Sequence, residues 1–246
     1  MFFLLVLSVD NHAAWGKLQP FSKSVQSSNA GYQNRCTDDP GTIGVTLRQL
    51  SSGAYDQIQK ARKTLLNFAH QSNACRREVI DALIGAMDKP NLDFETQPSN
   101  YYLWREGSQL LGELRATEAL DLLISHLDAT NGFHSASMVF QPAILGVREM
   151  GKAAVPKLAL ALKQNPKPRI RMAAAYCLTD IGGEAAMQAL AQVQADERNW
   201  CVANFIRISL NTFRYNSKNG IAFDNEAPQA NSEARRSWLL AFQCVQ

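Results

Sequence analysis

The feature that most constrains this chain is a recurring pair of helical patterns. Leu114-Arg115, Met150-Gly151 and Ile181-Gly182 stand in register, 36 and 31 residues apart. Each follows an apolar residue three positions earlier: Leu111, Val147 and Leu178. Each precedes a small-residue turn and a second apolar run: Ala119-Leu120 to Leu123, Ala154-Val155 to Leu158, Ala186-Met187 to Leu190. A period in this range marks stacked supersecondary units. One pair cannot bury its apolar face alone, so neighbours must supply the core.

The remaining periodicity extends this pattern. It predicts pairs at 54–70 and 75–88, 100–115 and 117–127, 136–150 and 153–163, and 167–181 and 184–195. A fifth begins near Asn199 and runs to about Phe213, with 232–243 as its partner. Val79, Ile80, Leu83, Ile84 and Met87 carry the spacing of one buried helical face. Gly151 and Gly182-Gly183 suit helix ends, and Pro156 suits a first turn, where its missing N–H costs nothing. Pro142 marks a helix start or a kink. With 46% hydrophobic and 19% charged residues, the chain has enough apolar surface for such a core.

The segment Pro168-Arg169-Ile170-Arg171-Met172-Ala173-Ala174-Ala175-Tyr176-Cys177-Leu178-Thr179-Asp180-Ile181-Gly182 resembles the HEAT and bilin-lyase-type HEAT-like repeats. The shared pattern is an arginine-containing start, small residues, then Leu-x-x-Ile-Gly. Ala153 to Leu158 resembles the family's second helix, and Asp196-Glu197 before Val202-Ala203 resembles the start of a further unit. The likeness is good over 140–213, fair over 100–127 and poor before 100. It implies an all-α chain folded as a right-handed α-solenoid of four to five stacked helical pairs. It also implies that Arg171 supports packing between neighbouring repeats. It says little about activity, because such scaffolds host many functions.

The expected organisation is a signal-like segment over 1–16, an extended arm over 17–53, the repeats over 54–213, and an irregular segment with a capping helix over 214–246. Met1 to Leu7 is a short apolar run of the kind found in secretory signals, though no Lys or Arg precedes it. The reading is export to the periplasm or medium, with a cytoplasmic protein as the alternative. No apolar run reaches the roughly 18 residues of a membrane span.

Export bears on the five cysteines, Cys36, Cys75, Cys177, Cys201 and Cys244. None forms a Cys-x-x-Cys pair, which argues against a zinc ribbon or thioredoxin-type motif. Cys36 and Cys75 are the first expected disulfide, and Cys201 with Cys244 the second. Cys177 lies on an apolar helical face and reads as a small core residue.

Candidate chemistry is sparse. Gly146 to Ala153 nearly spells a P-loop, but Ala153 replaces the magnesium-binding hydroxyl and the motif follows a helix. His126, Asp128 and His134 carry metal-ligand chemistry near a turn, but a solvated loop is the simpler reading. No nucleophile motif occurs. No catalytic, cofactor-binding or metal set is therefore predicted. Net charge is +3, too mild for a dedicated nucleic-acid binder, and the cluster Lys167, Arg169 and Arg171 reads as structural.

The reading that remains is a non-catalytic scaffold for a protein or peptide. A lyase-like enzyme or ligand-handling protein on the same scaffold, using a reactive cysteine such as Cys201 or Cys177 or an acid in the groove, is the alternative, and nucleic-acid binding the second. Tyr101, Tyr102, Trp104, Trp200 and Phe205 are aromatic anchors or core residues. The long loops 88–99 and 128–137 are the expected recognition elements, with Pro90, Phe94 and Phe133 as contacts.

Overall fold

Helix boundaries follow the local chemistry of the chain. The structure is a computed structural model and describes residues 41–89, 92–130 and 141–218. Helix α1 spans Thr42–Leu50, α2 Tyr55–Ala69, α3 Asn73–Met87, and α4 Pro98–Glu113. A 3-10 turn at Thr117–Ala119 leads into α5, Leu120–Ser125. Then come α6, Pro142–Met150, a second 3-10 turn at Gly151–Ala154, and α7, Val155–Gln164. Helices α8, Pro168–Ile181, α9, Gly183–Gln194, and α10, Trp200–Lys218, complete the order. No strand occurs among the described residues, and no helix among them is long and apolar enough to cross a membrane.

Prolines open α4, α6, α7 and α8 within the first turn, where no amide hydrogen is needed. Ser72 caps α3: its Oγ accepts from the Cys75 amide at 3.1 Å. Asn199 does the same for α10, accepting from the amides of Cys201 and Val202 at 3.1 and 3.2 Å. Gly151 and Gly182 end their helices at φ 60, ψ −135 and φ 68, ψ −169, backbone that a side chain would strain.

The predicted pairs match α2/α3, α4/α5, α6/α7 and α8/α9 to within a few residues, except that α6 is described from Pro142 rather than 136. Two boundaries are corrected. Residues 42–50, expected within an extended arm, form α1, which buries Ile43, Thr46 and Leu50. Its short length and its Thr, Gly and Val content hid it, because these residues have modest helix propensity. Helix α10 runs to Lys218, past the expected limit of 213. The expectations for 1–16, 232–243, Cys36, Pro90, Phe133, His134 and Cys244 lie outside the described residues.

Packing is local along the chain. From α7 onward, each helix touches the next and the next but one. The α4–α6 contact is the most extensive, and glycines explain it. A Cβ on Gly146 would lie 2.2 Å from the Ser108 carbonyl oxygen, and one on Gly112 would lie 2.7 Å from that of Gly146. The two backbones therefore approach closely, with the Cβ of Glu149 also 2.6 Å from where a Gly112 Cβ would lie. The same glycine began the P-loop-like string. It sits inside α6 rather than after a strand, so the phosphate-binding reading is dismissed.

Helix α8 is the most enclosed. Residues 172–179 are all buried, as befits a helix packed on α6, α7, α9 and α10. Its three consecutive alanines keep that helix thin. Thr179 ties it to α10, its Oγ1 lying 2.9 Å from Ser209 Oγ. Cys177 is a free thiol in the core.

Candidate functional site

An open cleft of about 570 Å³ is lined by α2, α4 and α6. Its size is in the range of ligand-binding pockets. Helix α2 contributes Gln59 and Arg62, one turn apart. Helix α4 contributes Tyr101, Arg105 and Gln109, four residues apart on one stripe, and Glu106 beside them. Helix α6 contributes Pro142 and Leu145 from its first turn.

Glu106 organises the polar wall. It falls three residues after Leu103 and four before Leu110, on the buried side of α4, and only 6% of its side chain is accessible. Two guanidiniums neutralise it. Arg62 Nη1 donates to Oε2 at 3.1 Å. Arg105 Nε donates to Oε1 at 2.7 Å, with Nη2 at 2.6 Å from the same oxygen. Arg62 also donates to Gln109 Oε1 at 3.1 Å and to Glu113. A buried carboxylate tolerates such a place only when charged partners surround it.

Aromatic residues brace the second arginine. The Arg105 guanidinium lies 5.4 Å from the Tyr102 ring centroid and 6.0 Å from that of Tyr101, within cation–π range. Tyr102 is held by the α1–α2 turn: a Cβ on Gly53, at φ 77, would lie 2.9 Å from its ring. Tyr101 packs edge-on against Phe94 at 6.2 Å, and Phe94 against Trp104 at 6.0 Å.

Phe94, expected as a partner contact, is 6% accessible and belongs to the core. It plugs the segment 92–97 onto α4, while Asp93 pins that segment by accepting from the amides of Glu95 and Thr96 at 2.9 Å each. Trp104 is fully buried, its Nε1 donating to Met87 O at 3.2 Å, and Phe205 is likewise core. Trp200 is 71% exposed at the start of α10. Of the aromatic candidates, the structure brings Tyr101 to the cleft and leaves Trp200 far along the chain. Sequence reading missed Arg62, Arg105 and Glu106. The one signal was a glutamate in the apolar phase of α4.

The other candidates have structural partners. His126 Nδ1 lies 3.0 Å from Leu122 O, and its ring rests 4.6 Å from that of Trp104. Asp128 pairs with Lys167 at 3.2 Å. No group of three metal-ligating side chains occurs among the described residues. Arg171 grips both oxygens of Glu197 at 2.8 Å and donates to Asn165 O at 2.9 Å. It thus joins the start of α8 to the α9–α10 connection.

Burial pushes the Cys177 thiol far above its ordinary pKa, which removes it as a nucleophile near neutral pH. Cys75 and Cys201 are disulfide-bonded, and no disulfide has both cysteines among the described residues. Compared with known proteins, the sequence matches no family model and no curated protein.

Proposed function

We propose that this chain is a non-catalytic scaffold, a right-handed solenoid of four to five HEAT-like pairs that binds a protein or peptide in the α2/α4/α6 cleft. The observation that carries this is the cleft itself: side chains from three helices of successive pairs converge on one preformed, braced surface. The chain-local packing supports the stacked reading, because repeat units touch mainly their neighbours. Affinity in such a site concentrates in a few aromatic and arginine contacts, and Tyr101 and Arg105 are of that kind.

The two other readings have less support. A lyase-like activity would need a reactive cysteine or acid in the groove, but Cys177 is buried, Cys201 is bonded, and both oxygens of Glu106 are held by Arg62 and Arg105. Nucleic-acid binding would draw on Lys167 and Arg171, which face Asp128 and Glu197. The reading of an exported protein goes with pairings Cys36–Cys75 and Cys201–Cys244.

The test is site-specific photocrosslinking in the native source. A benzophenone amino acid replaces Leu145 in the cleft or, as a control, the exposed Leu160 on α7. Adducts to a defined protein at 145 and none at 160 support the proposal. Equal labelling at both positions, or none at 145, rejects it.

A further inference from the structure

We infer that the cleft's anchor is Arg105 and that its ligand is an extended peptide bearing an acidic side chain; this rests on the scaffold reading above. A guanidinium has two edges for carboxylates, and Arg105 uses only one on Glu106, through Nε and Nη2. Its Nη1 donates to no described residue, and 36% of the side chain is accessible. Arg62, by contrast, is spent on Glu106, Gln109 and Glu113, and only 15% of it is accessible.

The charge of the cleft agrees. Two guanidiniums line it against one lining carboxylate, both oxygens of which already accept from them; Arg62 is further neutralised by Glu113, which leaves Arg105 as the cation open to a ligand. A basic ligand would meet no unengaged carboxylate oxygen among the lining residues except by breaking these pairs. An acidic one meets a guanidinium that Tyr101 and Tyr102 already hold in place, so little side-chain entropy is lost on binding.

The rest of the lining suits a main chain. Gln109 receives Arg62 on its oxygen, which leaves its amide N–H groups to donate to a peptide carbonyl. Gln59, exposed on the opposite wall, offers both donor and acceptor. Tyr101, Pro142 and Leu145 form the apolar floor for a neighbouring side chain.

The test uses the full chain and two fluorescein-labelled hexapeptide pools. Each peptide of the first carries one Glu among Ala, Ser, Leu, Pro, Phe and Tyr; the second is identical with Gln in place of Glu. Anisotropy is read for wild type, Arg105→Gln and Gln59→Trp, the last filling the cleft from an exposed position. The expected result is that the Glu pool binds about tenfold tighter than the Gln pool. Arg105→Gln abolishes that preference, and Gln59→Trp weakens both pools. Equal binding of the two pools, with both still blocked by Gln59→Trp, overturns the acidic anchor and leaves the scaffold standing. Binding that Gln59→Trp does not touch, or no binding at all, overturns both. Thermal unfolding of each variant, matched to wild type, excludes loss of fold as the cause.

Discussion

Glu197 shows how much one side chain can carry. Its accessibility is 3%, and burial alone would raise its pKa. The hydrogen bonds from Arg171 and the amides of Asn199 and Arg198 outweigh burial, so the carboxyl sits below the ordinary glutamate value. A depressed folded-state pKa means that the unfolded chain binds the proton more tightly. The stabilisation is therefore complete above the ordinary glutamate range and is lost as pH falls through the folded pKa. Chemical denaturation from pH 7 down to pH 3 should show wild type losing more stability than Glu197→Gln, with the gap closing only on the acid side. At pH 7 the substitution should cost about 3 kcal/mol, because it leaves Arg171 facing a neutral partner. An equal slope with pH in both proteins would refute the role assigned to this pair. Arg171 was legible beforehand as a residue that supports packing, through the repeat-like pattern it sits in. Phe94 was misread because a large aromatic in a loop carries no mark to tell a recognition residue from one that plugs the loop to the core.

Among the elements, α4 and α6 make the sharpest prediction. Their backbones meet at Gly112 and Gly146, so Gly146→Ala should force the helices apart and cost about 1–3 kcal/mol, the usual range for overpacking. Gly85 is the internal control. It lies exposed within α3, where an added Cβ would meet nothing within 4 Å, so Gly85→Ala should stabilise by about 0.5–1 kcal/mol through helix propensity. Urea midpoints at equal slope would measure both, and a harmless Gly146→Ala would contradict the close approach. Helix positions were legible because apolar spacing, proline starts and glycine ends all speak within a dozen residues. Helix α1 carried the same signal weakly, with Ile43, Thr46 and Leu50 on one face. The cleft was not legible. Gln59, Glu106 and Leu145 are remote in sequence, and no periodicity says which stripes of α2, α4 and α6 will border the same space.

For the whole molecule, the cysteines decide the setting in which it works. Intact mass after alkylation in denaturant without reductant should show one modified thiol, Cys177, and five once reductant is added. Peptide mapping should recover Cys36–Cys75 and Cys201–Cys244. Five alkylated thiols without reductant would point to a reducing compartment and remove the export reading. The joint between α4 and α6 has a further consequence here. Its spacing is set chiefly by main-chain atoms of Ser108 and Gly146, not by the side chains that line the cleft. The residues along the cleft's rim are therefore free to drift in identity while its width stays constant. A surface built this way can change its side chains with no renegotiation of how its helices stack.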